Sequence, residues 1–507
     1  MTELLRVNNA ICRLGLHKVL RIDELVVEQG QHWCFFGPNG AGKSVLASLL
    51  ASKRIESGKY VQYAEGFQPS RDIHIVSFEE QQKLWQRDNR LDVSEYSADA
   101  EDSGTLVWEL IQSSRSTLHA DNVLFEQLVT ELDLSALVER GIRFLSSGQI
   151  RKALIARALY GYRPGVAQLL ILDDPMESID LDSQVKIKIC IEKFLHSGFS
   201  SIQLCRRARN ILSGVNHIAL LDGLRLLEKG KREVIENGAA FEKVKNKKPV
   251  LLDRLPQNQS LFDKYQTDSG KPLIELNSVN AAYGEHSVLE NFSWIMHPGQ
   301  HVLIEGPNGC GKSTLLSLID GDNHKAYGQD VILFGRKKGS GETIWEVKAK
   351  FGIVSNELHN KYAKGWKVLD VVVSGFFDSV GLYDDSGTQE ADIAKSWLNA
   401  LQILDLAKYF YHEISFGQQR LVLLARAMVK QPQILILDEP CVGLDEFHRI
   451  LILEILDKIA EQFTTSILYV SHIEDEKPLC INRRLTFKRN AASGFQVEET
   501  AVEAVNP

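Results

Sequence analysis

No stretch of this sequence is apolar over the roughly 20 positions that a membrane-spanning helix requires. The first residues, MTELLRVNNAICRLG, lack the charged, apolar and small-residue regions of a secretory signal peptide. We therefore expect a cytoplasmic protein without a membrane span of its own. It would lie at the inner face of a membrane only through a partner.

Paired cysteines and an excess of positive charge are also missing. The seven cysteines are scattered without a C-x-x-C pair, so their spacing does not support a zinc or iron–sulfur site, and we expect reduced, mostly buried thiols. The net charge of −8 argues against a general nucleic-acid-binding protein. The length of 507 residues, 44% of them hydrophobic, is sufficient for about two to four globular domains.

Two glycine-rich segments share the spacing G-x-x-x-x-G-K-S, which is the phosphate-binding loop pattern. Each follows an apolar run and precedes a helical pattern. In such a loop the glycines let backbone N–H groups converge on phosphate oxygens, the lysine supplies a cation, and the serine offers a hydroxyl to Mg²⁺. Two glycine turns without nucleotide are the alternative, which the recurrence disfavours. The predicted contact residues are Gly37, Pro38, Asn39, Gly40, Ala41, Gly42, Lys43, Ser44 and Val45, and Gly306, Pro307, Asn308, Gly309, Cys310, Gly311, Lys312, Ser313 and Thr314.

The two segments belong to an internal duplication. Lys43 precedes the pentad LSSGQ by the same 102 positions that separate Lys312 from ISFGQ (145 − 43 and 414 − 312). An apolar strand ending in aspartate follows each pentad, at Asp173 and at Asp438, and another aspartate stands seven residues later. This shared register predicts a duplicated domain.

In these motifs and in their order, each half resembles the ATP-binding domain of ABC-type ATPases. The resemblance implies an α/β fold with two such domains in one chain. Each would have a phosphate-loop α/β core, a β subdomain and a helical subdomain that carries the signature pentad. We expect domains at 1–230 and 272–490, a linker with little regular structure at 231–271 and a mobile tail at 491–507.

A closer resemblance is to the ModF-type tandem ATP-binding proteins, named for molybdate transport and also called photorepair proteins. Phe334 to Lys348 and Val371 to Tyr383 carry it. It implies a transport role, although no residue pattern indicates a molybdate site. The segment Gly335 to Glu342 is interpreted as a solvated basic hairpin loop, with an oxyanion contact as the alternative.

Carboxylates at strand ends provide the expected chemistry. Asp173 and Asp438 are placed to hold Mg²⁺ together with Ser44 and Ser313. The family's catalytic base is a glutamate at the next position, which is Glu439 in the second half but Asp174 in the first. An aspartate retracts its oxygens by about 1 Å, which can cost about 100-fold in rate, so we expect Asp174 to be a poor base unless the loop compensates.

The resemblance also assigns the residues around the terminal phosphate and the adenine. His472 matches the family's switch histidine and joins Glu439 and Lys312 as a catalytic candidate, while Arg207 takes its place in the first half. Tyr283 is placed to stack on adenine, or alternatively to pack on the sheet. Leu14 stands at its equivalent in the first half.

Each family site combines one half's phosphate loop with the other half's signature. Leu14, Asp174, Arg207 and Phe416 depart from the family pattern, and all fall in the site of the first phosphate loop. We therefore expect an asymmetric ATPase whose second-half site hydrolyses ATP. The predicted signature contacts are Ser146, Ser147, Gly148 and Gln149, and Ser415, Phe416, Gly417 and Gln418.

The family's Mg²⁺-contacting glutamine is missing, since Phe78 and Asn356 occupy its positions, with Gln81 a candidate substitute. The favoured function is an ATP-hydrolysing subunit of a separate membrane permease, with molybdate as one candidate cargo. The alternatives are a soluble regulator of the ribosome or another nucleoprotein, and a nucleotide-gated scaffold. The expected ligands are ATP and Mg²⁺, and no direct nucleic-acid binding is expected.

Overall fold

The computed structural model describes residues 2–14, 18–90, 104–115, 120–177, 179–247, 249, 253–257, 271–283, 286–307, 309–320, 328–341, 343–362, 365–381, 387–471, 476–489 and 495–502. The chain divides into two compact units, Met1–Lys247 and Lys248–Pro507. The division falls inside the segment 231–271, which was predicted to be a linker. In the described ranges, no helix combines the length and apolar character needed to cross a membrane.

The first unit alternates strands with helices. Its strands are β1 (Glu3–Leu14), β2 (Lys18–Glu28), β3 (His32–Phe36), β4 (Val61–Tyr63), β5 (Ile73–Val76), β6 (Leu169–Asp173), β7 (Ser200–Cys205), β8 (His217–Asp222) and β9 (Arg225–Lys231). Its helices are α1 (Lys43–Leu50), α2 (Ser57–Tyr60), α3 (Pro69–Asp72), α4 (Phe78–Arg90), α5 (Val107–Gln112), α6 (Asn122–Glu131), α7 (Ser147–Tyr160), α8 (Leu181–Leu195), α9 (Arg232–Glu236) and α10 (Ala239–Lys245).

The second unit repeats this alternation. Its strands are β10 (Ile274–Tyr283), β11 (His286–Met296), β12 (His301–Glu305), β13 (Asp330–Leu333), β14 (Arg336–Lys337), β15 (Phe351–Val354), β16 (Ile434–Asp438), β17 (Ser466–Val470), β18 (Arg483–Arg489) and β19 (Phe495–Ala501). Its helices are α11 (Lys312–Asp320), α12 (Ile344–Lys348), α13 (Asn356–Lys361), α14 (Val368–Val373), α15 (Thr388–Ala400), α16 (Phe416–Met428) and α17 (Glu446–Gln462).

The strands form sheets with a parallel centre. In the first unit the order is β4-β1-β2-β9-β8-β3-β7-β6-β5, and β5, β6, β7, β3 and β8 run parallel. The second unit has a six-stranded sheet in the order β15-β16-β17-β12-β18-β19 and a four-stranded antiparallel sheet in the order β11-β10-β13-β14. The phosphate loops follow β3 and β12, at the carboxyl ends of parallel strands, where α/β sheets bind ligands.

Each central strand is buried on both faces, because alternate side chains enter different apolar cores. In β6, Leu170 and Leu172 pack in the core that contains the helical segment α5–α7, while Leu169 and Ile171 pack in the core beneath α1. In β16 the alternation is the same, over the cores that contain α14–α16 and α11. The predicted α/β class, with one phosphate-loop core in each half, is confirmed.

The segment predicted as a linker is not wholly irregular. Its first fifteen residues contain α9 and α10, which belong to the first compact unit. Ile235 and Phe241 are buried, and the Phe241 ring lies 4.8 Å from that of Phe36. These apolar side chains give the short helices a core to pack on, which the charged composition of the segment obscured.

The prediction of a mobile tail from residue 491 is wrong for 495–501. These residues form β19, which pairs antiparallel with β18 over Arg483–Arg489. Phe495 and Val497 alternate with polar residues and pack against the apolar core. Residues 491–494 and 503–507 lie outside the described residues.

Candidate nucleotide sites

The first phosphate loop connects β3 to α1 and curls around the amine of Lys43. The Lys43 Nζ donates hydrogen bonds to the carbonyl oxygens of Gly37 at 2.6 Å and Pro38 at 2.9 Å. A Cβ on Gly37 would lie 2.1 Å from the carbonyl oxygen of Leu221, so only glycine fits there. Gly42 has φ +98°, a conformation open to glycine, and directly precedes the helix.

The second phosphate loop has the same internal bonds. The Lys312 Nζ donates to the carbonyl oxygens of Gly306 at 2.9 Å and Pro307 at 3.0 Å. Gly311 has φ +105°, and a Cβ there would lie 2.2 Å from Cγ1 of Val288. Asn308 lies outside the described residues. In both halves the lysine is held at the loop where its charge can meet terminal phosphates.

The serine after each lysine and the aspartate at the end of the neighbouring strand supply hard oxygen donors. Ser44 Oγ lies 3.3 Å from Asp173 Oδ2, and Ser313 and Asp438 occupy the same positions in the second half. Burial, and then the charge of Asp174, raises the pKa of Asp173 to about 6. Burial and Glu439 likewise raise the pKa of Asp438 to about 6. Such partly desolvated oxygen pairs fit Mg²⁺, whose remaining ligands would be water and phosphate.

The two base positions have the same backbone. Asp174 has φ 41° and Glu439 has φ 48°, both in the left-handed region that costs a non-glycine residue energy. Their amides donate to the neighbouring strand, to Leu204 at 3.2 Å and to Val470 at 3.1 Å. The two positions match in φ and in this amide bond, so neither feature offsets the shorter side chain of Asp174.

Asp174 is also held by an ion pair that the motif spacing did not predict. The Nε of Arg206 donates to Asp174 Oδ2 at 2.6 Å, and a terminal nitrogen of the same guanidinium donates to Glu177 Oε2 at 2.6 Å. The arginine lies at the end of β7, next to the end of β6. The sequence contained one signal, since Arg206 stands where the second half has Ser471 (206 − 174 and 471 − 439 are both 32).

The switch positions are described in one half only. Arg207 is buried, and its carbonyl accepts a hydrogen bond from the thiol of Cys205 at 3.0 Å. His472 lies outside the described residues.

Of the adenine positions, Leu14 ends β1 opposite Lys18, and Tyr283 ends β10 opposite His286. Both therefore belong to the hairpins that precede the phosphate loops.

The signature pentads are helix caps. Ser146 Oγ accepts from the amide of Gln149 at 3.3 Å, and Gln149 Oε1 accepts from the amide of Ser146 at 2.9 Å. Ser415 and Gln418 make the same reciprocal bonds, at 3.4 and 2.9 Å. This S-x-x-Q capping box satisfies two backbone amides and fixes each helix start. A Cβ on Gly417 would lie 2.3 Å from the ring of His448.

Phe416 is supported by side chains around it. The ring of His359 lies 5.0 Å from that of Phe416, and the Arg420 guanidinium carbon lies 5.0 Å from its centre. Arg420 also donates to the side-chain oxygen of Asn356. In the first half, the Gln81 amide donates to the carbonyl of Ser147 at 3.2 Å. Asn356 and Gln81 are thus both tied to their own half's signature helix.

Comparisons with known proteins agree with this arrangement. The family described as ABC transporter matches residues 20–177 and 289–442. The ABC transporter ATP-binding protein ModF of Escherichia coli (strain K12) is 35% identical over 482 residues, covering 94% of this chain and 95% of that protein. An uncharacterized ABC transporter ATP-binding protein of Schizosaccharomyces pombe is 26% identical, over 90% of this chain and 91% of that protein. A structure described as a model of ribosome-bound archaeal Pelota and ABCE1 has a TM-score of 0.60 at 18% identity, over 97% of this chain and 78% of that chain, which shows a common fold.

Proposed function

The chain belongs to the ABC transporter family and carries its ATP-binding domain twice, and from this premise we propose that the second half hydrolyses ATP while the first half mainly holds it. The resulting opening and closing energises a separate membrane permease, with molybdate as one candidate cargo. The pairing of each phosphate loop with the other half's signature stays a prediction.

The difference between the two base positions is the observation that carries this proposal. Glu439 offers the longer carboxylate beside Asp438, whereas Asp174 is shorter on the same backbone and is bonded to Arg206. The magnesium ion, when bound by the serine and aspartate pairs, would neutralise charge on the phosphate oxygens. Because the phosphate loops are alike, we assign both halves ATP binding and only the second half efficient turnover.

The proposed reaction follows the roles that the family resemblance gives to these side chains. The Glu439 carboxylate takes a proton from water, and the water oxygen forms a bond to the γ-phosphorus. The bond from that phosphorus to the β–γ bridging oxygen breaks, and its electron pair leaves with ADP. The proton then passes to the phosphate product. Lys312 offsets the charge of the terminal phosphates, and His472 contacts the γ-phosphate by its match to the family's switch position.

One observation favours the second candidate, a soluble regulator of the ribosome or another nucleoprotein. The position expected to carry the coupling glutamine is Phe78 in the first half, and in the second half Asn356 accepts a bond from Arg420. Conventional coupling to a permease uses a glutamine at this position. The relative named for transport, ModF, supports the permease more directly, since it matches nearly the whole chain.

An affinity purification separates the two candidates. The Glu439→Gln variant is loaded with ATP and Mg²⁺, and the proteins recovered with it are identified from membrane and ribosome fractions. We expect a multispanning membrane protein that is absent when Lys312→Ala is added as a control that weakens ATP binding. Recovery of ribosomes alone, with the same dependence on Lys312, would reverse the ranking.

A further inference from the structure

We propose that Arg206 is a positioning residue that withholds the Asp174 carboxylate from the ATPase reaction, so that the first half keeps its ATP unhydrolysed. This inference deepens the proposed function and rests on it. It assigns the low turnover of the first half to an ion pair in addition to the missing methylene of aspartate.

The geometry of the ion pair carries the first step. The Arg206 guanidinium donates a bond of 2.6 Å to Asp174 and another of 2.6 Å to Glu177. The side chains are shielded, with exposures of 14% for Arg206, 9% for Asp174 and 16% for Glu177. Charge-assisted bonds of this length are strong where water is excluded. Asp174 Oδ2 therefore already accepts a charge-assisted bond from Arg206, and a water molecule that gave a proton to this oxygen would compete with that bond.

The charges explain why the arginine tolerates burial. Burial alone would lower the pKa of Arg206, but the carboxylates of Asp174 and Glu177 outweigh burial and raise it. Removing one partner of a buried ion pair leaves an uncompensated charge, which is strongly destabilising. Breaking the bond to Arg206 is therefore costly, and this cost keeps the Asp174 carboxylate from acting as a base.

The second half differs at every member of this group. Ser471 occupies the position of Arg206, Val442 that of Glu177, and Glu439 that of Asp174. The Glu177 carboxylate accepts the bond from Arg206, and the Glu177 amide donates to the carbonyl of Asp174 at 3.0 Å. At these aligned positions, the half with the longer carboxylate has serine in place of the arginine and valine in place of its second anion.

The test follows the γ-phosphate on each half separately. Variants are loaded with 8-azido-ATP and Mg²⁺, incubated, irradiated, digested and mapped by peptide. Label on the α-phosphate measures occupancy, and label on the γ-phosphate measures ATP that has not been hydrolysed. All variants carry Arg207→His, so that the switch position matches the second half and cannot explain a difference.

Two variants are compared in this background. With Asp174→Glu alone, we expect the first half to keep both labels, because Arg206 still binds the carboxylate. With Asp174→Glu, Arg206→Ser and Glu177→Val together, we expect the γ-label on the first half to fall by about 10-fold or more at unchanged α-label. If Asp174→Glu alone clears the γ-label equally, or if the combined variant retains it, Arg206 is not the block.

Folding and the proposed function are checked in the same experiment. Should the combined variant lose its α-label, Asp174→Glu with Arg206→Gln and Glu177→Gln, which preserves more of the packing, repeats the test with the same two outcomes. The second half of the otherwise unmodified chain must clear its γ-label, and retention there would overturn the proposed function. Clearance there with retention in the combined variant overturns only the role of Arg206.

Discussion

At the scale of single residues, Gly37 shows how closely the phosphate loop is packed against the sheet. It directly follows β3, and the carbonyl of Leu221 lies where its side chain would begin. Gly58, in α2 of the same unit, has no heavy atom within 4 Å of the equivalent point. Neither glycine has a φ between +20° and +160°. Alanine at the two positions therefore differs in the crowding around its methyl group and not in a left-handed backbone conformation.

We predict that Gly37→Ala weakens nucleotide binding by the first half and destabilises the unit by about 1–3 kcal/mol, because backbone must move to admit the methyl group. Gly58→Ala is the matched control, and we expect it to change stability by no more than about 1 kcal/mol, in the stabilising direction. Thermal unfolding and titration with a fluorescent ATP analogue measure both effects. Equal behaviour of the two variants would contradict the close contact at Leu221.

Motif spacing predicts residues that belong to a local sequence pattern, and it does not predict residues whose role comes from a contact between strands. Lys43, Asp173 and Glu439 were predicted because each occupies a fixed place in a local pattern. Arg206 was missed because its carboxylate partners are 32 and 29 residues away, and the contacts arise only where β6 and β7 end side by side. Pairing between strands is not determined by the spacing within either one.

At the scale of elements, the short helix α13 supports the second signature. His359 accepts or donates a hydrogen bond with the Tyr411 hydroxyl at 2.9 Å, and its ring packs against Phe416. Burial, followed by the charge of Arg420, lowers the pKa of His359 to about 4. The folded second unit therefore favours the neutral imidazole.

This preference predicts an acid-dependent loss of stability. Between pH 6.5 and pH 4 the unfolded chain binds a proton at His359 that the folded chain does not, so stability falls as the pH is lowered through this window. We expect His359→Gln to reduce the difference in unfolding free energy between pH 7 and pH 5 by about 1–2 kcal/mol, since the group no longer titrates. Denaturant unfolding at the two pH values measures this. An unchanged difference would argue against a buried neutral histidine.

The strand β19 is an element that the polar tail sequence concealed. It pairs with β18 as the edge strand of the six-stranded sheet and brings Phe495 and Val497 to the apolar core. The alternation of these two residues with polar neighbours was present in the sequence, but its proximity to the end of the chain favoured an assignment to a tail. The helices α9 and α10 were obscured for the similar reason that their charged surface outweighs a few apolar anchors such as Phe241.

We predict that ending the chain at residue 490 destabilises the second unit by about 2–4 kcal/mol, because the ladder and the two apolar side chains are lost together. Ending it at residue 502 is the control and leaves β19 complete, so we expect an unfolding temperature close to that of the full chain. Thermal unfolding followed by circular dichroism compares them. Equal unfolding temperatures for all three chains would show that β19 contributes nothing.

At the scale of the whole molecule, the two halves share the architecture of a nucleotide site but differ in the residues at the base position. Both phosphate loops, both strand-end aspartates and both capped signature helices are retained. The differences lie at the base position and its surroundings. The first half has Asp174, Arg206 and Glu177, and the aligned positions of the second half hold Glu439, Ser471 and Val442. Conserving ATP binding while altering one base is the pattern expected of a holding site and a hydrolysing site.

Steady-state ATP turnover of two single variants tests this asymmetry most directly. We predict that Glu439→Gln lowers turnover by about 100-fold or more, because the base of the hydrolysing site is lost. The Asp174→Asn change removes a charge from the buried pair with Arg206, so turnover is measured per folded molecule. It is predicted to stay within about 3-fold of the unmodified chain, because the Asp174 carboxylate takes no part in the reaction. Equal losses from the two substitutions would contradict the assignment of hydrolysis to the second half.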